Sequence, residues 1–361
     1  MASLRNGKVS AVSLVERLRN EVDQLCKRSI NGLEYLRTPA PQVGTTPRTL
    51  LHRRGTLALY HYQATTEEVY RVPLLFVMPT TNKASIFDLA KGQSLIGFLL
   101  DHGYDVYVMD WNAPTTLERH LKLENYVLDF IPDCIRRVQE SSGIEDVTLV
   151  GYCMGGLLST IYAALHPDGP VKNLVLFTTP TDWTRMIFRK VVEDEQFSPD
   201  RVINSQGLLP PTVFKRLVEL HRPAGPIATQ IRLWDNMWNE DYVRNFRMML
   251  SWGDDTLPLA GDYYRQIVEE LLRKNGLYEG TLCLDGKRVE LKNIRIPLLH
   301  VIAEHDTLVT PECARPLVAG VSSQDKEELI LPGGHVSLMA GPAAIRRLWP
   351  KLDQWLGRRS V

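Results

Sequence analysis

Short, mainly apolar runs occur at Thr56 to Tyr62, Val72 to Met78, Asp105 to Met109, Val147 to Val150, Val171 to Phe177 and Ile296 to Ala303, with a briefer one at Glu328 to Leu331; that at Val72 to Met78 is continuous. Runs of this kind suit strands covered on both faces. Between them the apolar spacing turns helical and predicts helices over 87–101 and 123–141, and another after Gly155, where Leu157, Leu158, Ile161, Tyr162 and Leu165 recur. Strand, helix, strand, helix at this spacing predicts an α/β fold, a mainly parallel sheet with helices on both faces. Ahead of it, residues 11–25 set Ala11, Val12, Leu14, Val15, Leu18, Val22 and Leu25 opposite Glu16, Arg17, Arg19, Glu21 and Asp23. That is an amphipathic helix, expected to pack on its own domain. Beyond it, Pro39, Pro41, Gly44 and Pro47 break any regular element and predict a loop.

The alternation stops between Asp182 and about Arg288, where Pro199, Pro210, Pro211, Pro223 and Pro226 precede helical segments carrying Trp234, Trp238, Tyr242, Phe246, Trp252, Tyr263 and Tyr264. An insertion capping the carboxyl edge of the sheet fits, because parallel sheets keep their sites at that edge. Its aromatic stripe is expected to be its own core. Four segments result: an N-terminal helix and loop (1–50), the first part of the core (51–182), a cap (183–290) and the second part of the core (291–361).

Lys plus Arg and Asp plus Glu both number 42, so no net charge draws the chain to nucleic acid or an anionic membrane. The five cysteines, Cys26, Cys134, Cys153, Cys283 and Cys313, are scattered and odd in number, which argues against a disulfide framework and a zinc site. No run approaches the roughly 18 apolar residues of a membrane span, and no leader is evident, so a reducing cytosol is the expected compartment.

The chemistry centres on Gly151-Tyr152-Cys153-Met154-Gly155-Gly156, between an apolar strand and a helix. It reads as a nucleophile elbow, Gly-x-Ser-x-Gly with cysteine in place of serine. The new helix points its free N–H groups and positive end at the sulfur, favouring thiolate, and the Met154 N–H falls where an acyl oxyanion would form. The second oxyanion donor is expected from the loop after the strand 72–78, from Thr80, Thr81 or Asn82, with Thr81 the choice. Asp306 and His335 each follow a strand end, and the order Cys153, Asp306, His335 is the Ser, Asp, His order of the hydrolase sheet. Glu304, Asp110 and Asp182 are rival acids; His300, His305 and His166 are rival imidazoles, and His300, inside a predicted strand, suits a core role. A thiolate attacking a thioester exchanges one thioester for another, so thioester substrates fit, and the acyl-cysteine keeps the driving force to acylate an alcohol.

The elbow, Pro79-Thr80-Thr81-Asn82-Lys83 followed by Ile86-Phe87-Asp88-Leu89, Asp110-Trp111-Asn112-Ala113-Pro114, and Glu304-His305-Asp306-Thr307-Leu308-Val309 before Pro332-Gly333-Gly334-His335 together resemble polyhydroxyalkanoate synthases. Within the cap, Asn245-Phe246, Trp252, Asp255, Pro258 and Asn275-Gly276-Leu277 stand at family-like spacing, and the likeness runs from about residue 50 onward. The resemblance implies an α/β-hydrolase fold and polymerisation of (R)-3-hydroxyacyl-CoA, of short chain such as 3-hydroxybutyryl-CoA, into polyester with release of CoA. It implies that Cys153 carries acyl groups, that His335 activates the thiol, and that Asp306 aids the incoming 3-hydroxyl or supports His335. No cofactor and no metal are expected, CoA being a leaving group. Length suggests the short two-component synthases, with an accessory subunit (PhaE- or PhaR-like), a homodimer and a cytoplasmic place at the surface of polyester granules. Many relatives carry His after the acid, where this chain has Thr307. The rival reading is a cysteine hydrolase, a thioesterase or depolymerase that admits water.

Overall fold

The seven predicted strands and one further edge strand pair into one eight-stranded sheet in the computed structural model, which describes residues 11–221 and 225–361. Six strands come first: β1 (Arg48–Arg54), β2 (Leu57–Tyr62), β3 (Leu74–Val77), β4 (Val106–Trp111), β5 (Val147–Tyr152) and β6 (Val171–Phe177). Two minor antiparallel pairs come next, β7 (Leu208–Leu209) with β8 (Leu259–Ala260) and β9 (Cys283–Leu284) with β10 (Lys287–Arg288). The sheet resumes with β11 (Leu298–Ala303) and β12 (Lys326–Leu331). Its order is β1-β2-β4-β3-β5-β6-β11-β12, antiparallel only where β2 meets β1 and β4. Every residue of β3, β4, β5 and β11 is buried, which is why these strands read as mainly apolar runs.

By its internal contacts the chain forms two units, one of residues 42–221 and 252–361 and the other of 1–41 and 222–251. The first holds the sheet. Its helices include α2 (Leu95–Asp101), α3 (Ile131–Ser142) and α4 (Met154–Leu165). The predicted helix 87–101 is in fact two pieces, a single turn at Ala84–Phe87 and α2. Gly92, at φ 80°, breaks the run, and Ser94 restarts it by accepting a hydrogen bond from the Gly97 N–H. The predicted helix 123–141 opens as a wider π turn at Asn125–Phe130 before α3, which ends at a left-handed Gly143.

In the second unit the predicted N-terminal helix runs on to Arg37, as α1 (Ala11–Arg37). The side chains of Ala11, Val12, Leu14, Val15 and Leu18 lie outside the described residues, and Val22 and Leu25 of the same stripe are exposed. Packing in this unit centres instead on Leu233, Met237 and Val243, with Tyr35, Tyr242 and Phe246 against them. Asn31, buried, donates to the Met237 carbonyl at 2.8 Å. Trp234, expected in an aromatic core, is exposed.

Candidate active site

Cys153 sits between β5 and α4 with φ 52° and ψ −117°, a backbone region that costs a side-chain-bearing residue of order 1–3 kcal/mol. The tight packing around it explains the flanking glycines. A Cβ on Gly151 would lie 2.5 Å from Gly156 Cα, and one on Gly155 would run into the Val77 carbonyl. The Cys153 N–H donates to the Phe177 carbonyl at 2.9 Å, and its own carbonyl accepts the first helical bond of α4 from Leu157. The sulfur is thereby presented at the carboxyl edge of the sheet, at the start of a 12-residue helix.

Asp306 and His335 follow β11 and β12 and meet there. His335 Nδ1 is 2.6 Å from Asp306 Oδ2. The other carboxylate oxygen, Oδ1, accepts the Leu308 and Val309 N–H groups, each at 2.9 Å, so the acid is locked by its own turn. The Asp306 side chain is 0% exposed and that of His335 13%. The Tyr152 hydroxyl donates to the His335 carbonyl at 3.2 Å, and the two rings lie 5.2 Å apart. Burial by itself pushes the His335 imidazole down, but the charge of Cys153, then hydrogen bonds to Asp306 and Cys153, outweigh it and raise the group to about 10. The short helix at Pro311–Ala314 is capped by Thr310.

The rivals are elsewhere or otherwise engaged. Glu304 and His305 point into solvent, with side chains 52% and 71% exposed. Asp110 pairs with Lys83 at 2.9 Å, and Asp182 accepts from Thr184 and Asn275. His166 engages the Tyr162 carbonyl. His300 is fully buried within β11 and accepts from the Thr179 N–H, and burial pushes it down to about 3.

Met154 is the first residue of α4, and Thr81 lies in the loop after β3. The Asn82 N–H turns back to the Pro79 carbonyl, and the Thr81 carbonyl accepts from Leu257 at 2.7 Å. A network holds this loop: Lys83 Nζ also donates to the Trp111 carbonyl, the Trp252 indole donates to the Lys83 carbonyl at 2.9 Å, and the Trp111 indole to that of Met78 at 2.8 Å. Lys83, Asp110, Trp111 and Trp252 stand out in the sequence as motif members only; their joint work appears once the loop and β4 are side by side.

Cys153 and His335 open into a cavity of about 410 Å³ whose walls include Trp183, Met186, Phe188, Phe197 and Phe214, with Thr80 and Tyr263 among its polar members. Among the described residues no group of three or more His, Cys, Asp or Glu is arranged to hold a metal ion, and no helix is long and apolar enough to cross a membrane.

Residues 90–342 match the alpha/beta hydrolase fold family, and the sheet order and elbow are those of that class. Solved structures agree on the fold: a putative non-heme bromoperoxidase of Mycobacterium tuberculosis has a TM-score of 0.51 at 18% identity, covering 85% of this chain and 98% of its own. An esterase of Thermogutta terrifontis has a TM-score of 0.50 at 16% identity, covering 87% and 100%. Residues 11–99 match the N-terminus of poly-beta-hydroxybutyrate polymerase (PhaC), so the likeness begins well before residue 50. The poly(3-hydroxyalkanoate) polymerase subunit PhaC of Haloferax mediterranei is 34% identical over 97% of this chain and 72% of its own length. That of Allochromatium vinosum is 31% identical over 95% and 98%. The chain belongs to the poly(3-hydroxyalkanoate) polymerases, acyltransferases of polyhydroxyalkanoate synthesis.

Proposed function

We propose that the chain polymerises short (R)-3-hydroxyacyl-CoA, such as 3-hydroxybutyryl-CoA, through a Cys153–His335–Asp306 constellation. The Cys153 thiolate attacks the thioester carbonyl. The Met154 and Thr81 N–H groups receive the oxyanion, the bond to CoA sulfur breaks, and CoA leaves with the proton held by His335. With Cys153 acylated its charge is gone, and His335 becomes a base. It takes the proton of a 3-hydroxyl whose oxygen attacks the acyl-cysteine; an ester bond forms and the Cys153 sulfur is released for the next cycle. The observation that carries this reading is Asp306 bonded to His335 at 2.6 Å beside a cysteine at a strained elbow. The apolar lining of the cavity next to it suits an acyl group.

The relatives from Haloferax mediterranei and Allochromatium vinosum are named subunits, which supports an accessory partner for this chain; a homodimer at the surface of cytoplasmic polyester granules is part of the same proposal. The test is incubation with 3-hydroxybutyryl-CoA, following CoA and product together. CoA release with insoluble polyester is expected; free 3-hydroxybutyrate in its place would make the chain a thioesterase. Cys153→Ala should lose at least two decades of rate, roughly 2.7 kcal/mol of barrier.

A further inference from the structure

Two hydroxyls in the cavity have no part in the acylation and elongation steps. Tyr263, on the helix Gly261–Gln266, is fully buried, and Thr80, after β3, is 5% exposed. The Thr80 hydroxyl lies close enough to act on the Tyr263 phenol, yet no hydrogen bond of full geometry is made by either Tyr263 Oη or Thr80 Oγ1. The Tyr263 ring is fixed by Tyr126, at 4.6 Å between centroids. Burial pushes its phenol up, the neighbouring Thr80 hydroxyl pulls it down and the charge of Cys153 pushes it up again. Both residues line the cavity into which Cys153 opens.

A buried hydroxyl left without a partner costs about 1–3 kcal/mol, and two such groups side by side in a reaction cavity mark a place where an oxygen of the ligand completes them. An acyl group on Cys153 that has an apolar body and one hydroxyl near the thioester matches that wall. Resting on the polymerase reading, we propose that the Tyr263 and Thr80 hydroxyls bind the 3-hydroxyl of the acyl group entering at Cys153, and so select 3-hydroxyacyl over unsubstituted acyl thioesters. A site built to bond a substrate hydroxyl discriminates strongly against the analogue lacking it, since the analogue leaves the site's own groups unpaired.

The experiment is single-turnover CoA release from 3-hydroxybutyryl-CoA and from butyryl-CoA, by wild type, Tyr263→Phe and Thr80→Val. Wild type should prefer the hydroxylated substrate. Each variant should lower that preference by about tenfold, the worth of one neutral hydrogen bond, by slowing 3-hydroxybutyryl-CoA and leaving butyryl-CoA unchanged. Melting temperature should hold or rise, because an unsatisfied buried group has been removed. An equal fall on both substrates, or no change on either, overturns the proposal, as does a wild-type preference near one; in those cases the polymerase reading stands. No CoA release by wild type from either substrate overturns both. Should Tyr263→Phe fold poorly, Thr80→Val carries the same ratio test without touching the ring.

Discussion

Replacing Asp306 by Asn should separate the two halves of the reaction. In the native site Oδ1 is held by the Leu308 and Val309 N–H groups and Oδ2 accepts from His335 Nδ1 at 2.6 Å. Asn keeps its carbonyl oxygen on those two N–H groups, and its NH₂ must then face His335 Nδ1. An acceptor has become a donor. For acylation the cost is the smaller one: the imidazolium sets its Nδ1 proton against the amide NH₂, but the charge of the Cys153 sulfur, the largest influence raising His335, remains to hold it. For elongation it matters greatly, because the acyl-cysteine has no charge and His335 must act as a neutral base with its free nitrogen toward the incoming hydroxyl. The amide favours the opposite tautomer. A wrong tautomer in a comparable triad costs about 10⁴ in rate, or about 5.4 kcal/mol. Rapid-quench measurement of the first CoA released should therefore show a burst within about tenfold of wild type, followed by a stall. Loss of the burst along with elongation would show that Asp306 is needed to form the nucleophile, and would refute the reasoning.

Gly155→Ala drives a Cβ into the Val77 backbone carbonyl, which cannot swing aside; a loss of about 1–3 kcal/mol or more in denaturant stability is expected, and an unchanged midpoint would contradict it. Lys83→Met leaves the Asp110 carboxylate, 2% exposed, without its cation. It should cost about 3 kcal/mol, the low end for a broken buried pair because Ala84 and Trp111 N–H groups still bond Asp110, and it should lower the acylation rate as the 79–83 loop loosens. His335 titrates near 10 in the folded chain against 6.5 for the unfolded group, so its stabilising contribution is complete below pH 6.5 and is lost as pH rises through 10. Melting temperatures from pH 6 to 10 should fall more steeply for wild type than for Cys153→Ala, which lacks the charge that raises His335; parallel curves would remove Cys153 as the cause.

Much of this protein is determined locally. Strands β3, β4, β5, β6 and β11 are legible because burial on both faces leaves a mainly apolar run, and the order Cys153, Asp306, His335 is legible because each follows a predicted strand, although β12 ahead of His335 is largely exposed. β1 escapes notice because it lies at the sheet edge with most of Arg-Thr-Leu-Leu-His-Arg-Arg exposed, so its pattern carries no burial signal. The break at Gly92 and Ser94 is a local signal that the apolar spacing across 87–101 overrides. What only the tertiary structure decides is which distant groups meet. Asp306 binds both its own turn and His335; Lys83 is drawn to Asp110 and Trp252; Thr80 and Tyr263 face one cavity from elements far apart in the chain. None of these pairings leaves a period or a composition in the sequence, because each depends on where the parallel strands set their carboxyl ends and on the segments that fold back over them.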